Sequence, residues 1–92
     1  MTEKRIEENL VNGVKKAGGK AVKFLPFLFV GFPDRIVLMP GARIWFVELK
    51  KPGCTLSPIQ KIRRDWLIGM GFQHRVIDCQ NVLTDFLNEI TL

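Results

Sequence analysis

The 92-residue sequence has few of the side chains that bind zinc or form disulfides. It contains two cysteines, Cys54 and Cys79, one histidine, His74, and no tyrosine. Since no Cys-x-x-Cys pair and no cluster of cysteine with histidine occurs, a zinc site of the usual kind is excluded. The absence of tyrosine also excludes an enzyme that works through a covalent tyrosyl intermediate.

Long apolar stretches are missing as well. The longest apolar run, residues 24–32, is too short to span a bilayer and contains Pro26. The opening residues MTEKRIEENL are charged and have no apolar signal-peptide core. No repeat or low-complexity segment interrupts the chain. We therefore expect one small domain, residues 1–92, that is soluble and works in a reducing compartment, the cytoplasm.

Positive charge and apolar residues are both plentiful. The formal net charge is +5 and the sequence pI is about 9.6, which favours a polyanionic partner such as nucleic acid. Apolar residues make up 47% of the chain. A domain of this size buries only roughly 60–65% of the surface that its unfolded chain exposes. Part of the apolar surface is therefore expected to contact a partner, such as a second copy of the chain.

Hydrophobic periodicity and the placement of glycine and proline predict an α/β fold. The predicted order is helix, strand, strand, strand, helix, strand, helix, which gives a small mixed sheet flanked by helices. The helices are predicted at residues 2–17, 57–68 and 82–90, and the strands at residues 20–30, 34–39, 43–50 and 72–78. The first strand region is interrupted by Pro26 and is predicted to be one strand or two short ones.

Three charged residues converge on one corner of the predicted central hairpin. Glu48 and Lys50 share a face because strand residues two apart point the same way. Asp34 opens the partner strand, and a hairpin brings it close to Glu48. Charges beside apolar neighbours are costly unless they are paired or bind an ion. The corner is thus a candidate Mg²⁺ or Mn²⁺ site with Asp34, Glu48 and the Leu49 backbone carbonyl as ligands, where Lys50 orients water or neutralises a phosphate.

These motifs, taken in order, resemble the PD-(D/E)XK nucleases and more closely the virus-type replication-repair nuclease (VRR-NUC) domain. The resemblance rests on GFPDR at residues 31–35, FVELK at 46–50 and LSPIQ at 56–60. It extends to Ile6-Glu7, Gly18-Gly19 and Lys23-Phe24, and so covers nearly the whole chain. It implies an αβββαβ, restriction-endonuclease-like core.

The resemblance also implies an activity and roles for particular residues. The activity is metal-dependent endonucleolytic hydrolysis of DNA, with Asp34 and Glu48 as metal ligands and Lys50 as the catalytic lysine. Gln60 is implied as a supporting residue on the second helix. A homodimer that cuts branched DNA such as a Holliday junction, and a phage or prophage origin, are further implications.

A glutamate on the first helix is implied to bind the metal through water. Glu3, Glu7 and Glu8 are the candidates, and helical geometry separates them. Glu3 and Glu7 fall on the apolar face of the helix, whereas Glu8 points away. Glu7 also matches the position in the family, and it is therefore the predicted residue.

Structural alternatives exist for several of these residues. Ser57-x-x-Gln60 is a capping box, so Gln60 is equally explained by helix capping, and both roles can hold. Glu7 is equally explained by the helix dipole. The predicted DNA contacts are otherwise a solvated basic face; they are Lys23, Arg35, Lys51, Lys61 and Arg64.

One segment departs from the family pattern. Residues 25–30, LPFLFV, are apolar where the family has a polar, glycine-containing loop. An exposed apolar segment indicates a protein interface more often than a DNA contact. The competing function is a non-catalytic, basic DNA-binding or assembly module that keeps the nuclease fold.

Overall fold

The computed structural model describes residues 2–25 and 27–91, in which three helices and four strands follow the predicted order. The helices are α1 (Glu3–Lys16), α2 (Pro58–Gly69) and α3 (Gln80–Ile90). The strands are β1 (Lys20–Lys23), β2 (Arg35–Met39), β3 (Arg43–Leu49) and β4 (Gln73–Ile77). Within the described residues, no helix has the length and apolar character needed to cross a bilayer.

The strands form one mixed sheet in the order β1-β2-β3-β4, which confirms the predicted fold class. The pairs β1–β2 and β2–β3 are antiparallel, and β4 runs parallel to β3 because α2 returns the chain between them. The hairpin between β2 and β3 turns through Gly41 and Ala42, whose φ angles are 82° and 60°. Its register pairs Arg35 with Val47. The residue that precedes β2, Asp34, therefore lies beside Glu48, as predicted.

The side chains of β3 alternate between two layers of helices. Trp45, Val47 and Leu49 are part of the main core, together with residues of α1 and α3. Phe46 faces the opposite way, toward the side on which α2 packs against β4, and its ring contacts the rings of Phe32 and Phe72. Because α1 and α2 lie on opposite faces, both helices can contribute side chains to the end of β3.

β1 is shorter than the predicted strand at residues 20–30. Its register with β2 ends where Lys23 pairs with Arg35, and only the Phe24 amide donates further, to the Asp34 carbonyl. Among the described residues that follow, 24, 25 and 27–30, none pairs with a neighbouring strand. Residues 27–30 therefore form turns, and Pro26, which was expected to interrupt the strand, lies outside the described residues.

The outer surface of α2 differs from the expected packing. Helical spacing puts Trp66 on one face of α2 with Ile59 and Ile62, which favours a core position for its ring, but Trp66 is half-exposed and contacts Phe29 at 5.9 Å between ring centroids. Leu67 is the buried residue that anchors this helix. Several apolar side chains of the loop and of α2 are exposed, and we refer to six of them together as the apolar patch. Its members are Leu25, Phe27, Leu28, Val30, Ile62 and Trp66.

His74 lies on β4 and is buried. Burial lowers the pKa of His74 to about 4, with smaller contributions in the same direction from Arg64 and Arg75 and an opposing one from Asp65. The imidazole is consequently neutral at pH 7, and its position inside the fold indicates a structural residue.

Candidate active site

A cavity of about 320 Å³ opens at the carboxyl end of β3. It is bordered by the first turns of α1, the end of β1, the start of β2 and the start of α2. Four carboxylates, two lysines and one amide line it. The lining residues are Glu3, Glu7, Lys23, Phe24, Asp34, Glu48, Leu49, Lys50 and Gln60.

Asp34 and Glu48 are held to one another through the backbone. The Asp34 amide donates to Glu48 Oε2 at 3.1 Å, and the Leu49 amide donates to Asp34 Oδ2 at 2.8 Å. Each carboxylate thus accepts a hydrogen bond from the opposite segment, which fixes both side chains in the same corner of the cavity. The predicted convergence of Asp34 with the end of β3 is observed, and Lys50 lines the same cavity.

The turn before Asp34 is fixed by its contact with α2. Gly31 has a φ of 81°, in the region that favours glycine. A Cβ atom at this position would lie 2.7 Å from Ile59 Cγ1 and 3.0 Å from the Ile59 carbonyl carbon. The close approach of the turn to the first turn of α2 positions both Asp34 and the helix that carries Gln60.

Gln60 takes part in the helix cap and also contacts Glu48. Its backbone amide donates to Ser57 Oγ at 3.3 Å, and its Oε1 accepts from the Ser57 amide at 2.8 Å, which completes the capping box. The remaining group, Nε2, donates to Glu48 Oε1. The cap therefore orients the Gln60 amide so that its donor faces the carboxylate.

Glu48 is 2% exposed, and its surroundings disfavour a bare negative charge. Burial raises the pKa of Glu48 to about 8, the Asp34 carboxylate adds to the shift, and Lys50 opposes it. A buried carboxylate next to a second carboxylate is stabilised in its charged form by a cation. The burial of Glu48 beside Asp34 distinguishes this corner from an ordinary surface ion pair.

The donor set fits a hard divalent cation. Across residues 2–25 and 27–91, no three histidine, cysteine, aspartate or glutamate side chains form a group that could hold a metal. A cation at Asp34 and Glu48 would consequently take its remaining ligands from backbone oxygen and water. Mg²⁺ commonly binds in this way, through one or two carboxylates and several waters.

The first helix brings two of its three glutamates to the cavity. Glu3 and Glu7 line it, whereas Glu8 is exposed and pairs with Arg5 at 3.5 Å. The predicted division of the helix faces is therefore observed. Glu7 also forms an ion pair with Arg35, at 3.0 Å from Arg35 NH2 to Glu7 Oε2.

The basic residues proposed as DNA contacts lie in different surroundings. Lys23 lines the cavity and is exposed. Lys51, which follows β3 closely in sequence, and Lys61, which lies on α2, are also exposed. Arg64 pairs with the neighbouring Asp65 at 2.9 Å. Arg35 is half-buried and contacts Glu7, an interaction that sequence reasoning missed because the two residues are 28 positions apart.

The fold of this chain is also found in a solved structure. A solved structure described as a VRR_NUC domain superposes with a TM-score of 0.86 at 22% identity, over 96% of this chain and 97% of that one. This likeness confirms the nuclease-domain fold that the sequence motifs indicated. No family model matches the chain.

A curated relative extends the comparison to sequence. "Putative nuclease p44" of Acyrthosiphon pisum secondary endosymbiont phage 1 is 41% identical over 80 residues, which are 87% of this chain and 86% of the phage protein. The chain therefore belongs to the same family as this phage protein, and it has the VRR-NUC fold.

Proposed function

We propose that the protein is a Mg²⁺- or Mn²⁺-dependent endonuclease that hydrolyses DNA phosphodiesters. One observation carries the proposal: Asp34, Glu48 and Lys50, which are 14 and 2 positions apart in sequence, line one cavity in a nuclease-domain fold. The description of the phage relative as a nuclease supports the same conclusion.

The lining residues have complementary tasks in this proposal. Asp34 and Glu48 hold the cation, with the Leu49 backbone carbonyl as a further ligand, and Glu7 contacts it through water. When bound, the cation polarises the phosphodiester and activates water. Lys50 donates to the phosphate or orients the attacking water, and its charge opposes the negative charge that grows on the phosphate oxygens.

Gln60 keeps Glu48 in place from the opposite side of the cavity. Its Nε2 contact with Oε1 and the Asp34 amide contact with Oε2 occupy both oxygens of Glu48 without adding charge. Glu48 therefore has little rotational freedom. Since no serine, cysteine or tyrosine lines the cavity among the described residues, water is the proposed nucleophile.

The proposed substrate is branched DNA, such as a Holliday junction, cut by a homodimer. One domain of 92 residues offers little surface for reading base sequence, which favours recognition of DNA shape. The apolar patch supports the homodimer, because large exposed apolar surfaces mark protein interfaces. Lys23, Lys51, Lys61 and Arg64 are the proposed phosphate contacts. The phage relative supports a phage or prophage protein that acts in the bacterial cytoplasm.

The experiment uses a labelled four-way junction, a flap and a plain duplex, each incubated with Mg²⁺, Mn²⁺ or EDTA. Wild-type protein is compared with Lys50→Ala and with Lys20→Ala, a matched loss of one lysine at an exposed position on β1. We expect metal-dependent cleavage that Lys50→Ala abolishes and Lys20→Ala retains. Asp34→Ala and Glu48→Ala are expected to behave like Lys50→Ala.

Two results would contradict this function. Full cleavage by all three variants of Asp34, Glu48 and Lys50 would show that the reaction occurs elsewhere. Junction binding without cleavage under every metal, together with no metal binding in calorimetry, would identify a non-catalytic DNA-binding module.

A further inference from the structure

Arg35 is enclosed by contacts within the protein although it follows Asp34 directly. Its Nε and NH2 both lie 3.0 Å from Glu7 Oε2, and its NH1 donates to the Ala21 carbonyl at 3.1 Å. The side chain of Arg35 is 15% exposed and that of Glu7 is 26% exposed. One guanidinium thus links α1, β1 and β2 next to a proposed metal ligand.

These contacts leave Arg35 poorly suited to bind a DNA phosphate. Each of its three nitrogens already has an acceptor, and a side chain that is 15% exposed offers an incoming phosphate little access to the two remaining N–H groups. Removing one partner of a partly buried, hydrogen-bonded charge pair leaves the other charge uncompensated, which is costly. The prediction that Arg35 is a DNA contact is therefore less consistent with the geometry than a role inside the protein.

The ion pair also separates two depressions of the surface. Glu7 lines the cavity that contains Asp34 and Glu48, and together with Arg35 it lines a second groove on the outer side of α1. Both contacts of Arg35 with Glu7 are made to Oε2. The other oxygen, Oε1, takes no part in these contacts with Arg35.

The residues that line the cavity carry an excess of negative charge. Four carboxylates line the cavity, against two lysines. A phosphodiester enters such a site only if the negative charge is balanced. Arg35 adds one positive charge next to Glu7 and is not itself among the residues that line the cavity.

We propose that Arg35 is a positioning residue, which holds Glu7 against the wall of the cavity so that its Oε1 serves the bound cation through water. The inference rests on the proposed nuclease function and assigns to Arg35 no contact with DNA. Partners of this kind, one step removed from the metal ligands, typically change metal affinity by roughly 10–100-fold when they are lost.

The test compares Arg35→Gln, Arg35→Lys, Glu7→Gln and the double variant Glu7→Gln/Arg35→Gln with wild-type protein. Arg5→Gln is the matched control, because Arg5 forms an exposed ion pair with Glu8 on the outer face of the same helix. Mn²⁺ affinity is measured by calorimetry without DNA. Junction cleavage gives kcat and KM, and junction binding is measured across a range of salt concentrations with Ca²⁺. Thermal unfolding is recorded for every variant.

We expect Arg35→Gln to bind Mn²⁺ about 10-fold more weakly and to lose kcat, with an unchanged KM and salt dependence. Arg35→Lys, which keeps the charge but not the three-way contact, should lie between Arg35→Gln and wild type. The double variant should match Glu7→Gln alone, since Arg35 acts through Glu7. If Arg35→Gln is too unstable to assay, Arg35→Lys and the double variant still carry the comparison.

Three other outcomes would overturn the positioning role. Weaker junction binding with a salt slope reduced by about 1 and normal Mn²⁺ affinity would identify a phosphate contact. A lower Tm with normal Mn²⁺ affinity and kcat would identify a purely structural link. Additive losses in the double variant would show that Arg35 does not act through Glu7. Wild-type protein that neither binds metal nor cuts DNA would instead contradict the nuclease function itself, and this inference with it.

Discussion

Replacing Asp34 by asparagine or by alanine separates the chemistry of this carboxylate from its structural contact. The Leu49 amide donates to Asp34 Oδ2 at 2.8 Å, and Leu49 is 4% exposed. In Asp34→Ala this buried amide loses its acceptor, which costs about 1–3 kcal/mol. For a domain of this size the loss lowers Tm by roughly 5–20 °C.

Asp34→Asn should behave differently, because the amide oxygen of asparagine can still accept from Leu49. The substitution also removes the carboxylate that raises the pKa of the buried Glu48. We expect the Tm of metal-free Asp34→Asn to equal or exceed that of wild type, and metal-dependent cleavage to be lost in both variants. The difference in Tm between the two variants therefore measures the hydrogen bond to Leu49.

The assay is thermal unfolding in EDTA, combined with junction cleavage in Mg²⁺ and Mn²⁺. Asp65→Asn is the control, since Asp65 is an exposed carboxylate paired with the neighbouring Arg64. It changes the net charge equally and should change neither Tm nor cleavage appreciably. An Asp34→Asn variant as unstable as Asp34→Ala would refute the hydrogen-bond argument, and wild-type cleavage by Asp34→Asn would refute the metal-ligand argument.

Three further predictions concern the fold. Because the unfolded chain protonates His74 near pH 6.5 and the folded protein only near pH 4, stability should fall as pH drops through this window. In urea unfolding, the free energy of unfolding of wild type should fall by up to about 3 kcal/mol across this window, and His74→Gln should lack this fall. Equal pH profiles of the two proteins would contradict a neutral, buried His74. Ala42 has a φ of 60°, which asparagine adopts more readily than alanine. Ala42→Asn should therefore stabilise the fold by about 0.5–1 kcal/mol and raise Tm by a few degrees, whereas a lower Tm would show that the turn is not strained. Gly31→Ala places a Cβ against Ile59 at a φ of 81° and should lower the free energy of unfolding by about 2 kcal/mol or more. A denaturant midpoint equal to that of wild type would disprove this steric argument.

The parts of the fold that depend on neighbouring residues were predictable from sequence. Glycine and proline marked the ends of the elements, and period-two alternation gave the two faces of β3. The hairpin register then determined that Asp34 and Glu48 meet. Helical geometry similarly placed Glu7 on the inner face of α1.

Features that depend on how distant elements dock were not predictable. Periodicity gave α2 an apolar face with Trp66, but only the docked helix reveals that Leu67 is buried and Trp66 half-exposed. The length of β1 depends on where its partner begins. The pairing of Arg35 with Glu7 exists only once α1 lies on the sheet, and no local pattern announces it.

The two-way use of the Gln60 side chain restricts how this position can change over evolutionary time. Glutamate would keep the cap but would add a third carboxylate beside Asp34 and Glu48. Alanine would remove the side-chain half of the capping box and the contact with Glu48 at once. A substitution that preserves the helix cap can therefore still disturb the contacts of Glu48. A substitution that removes the contact with Glu48 can likewise weaken the start of the helix. Variation at residue 60 should accordingly be accompanied by compensating changes at Ser57 or Glu48, rather than occurring alone.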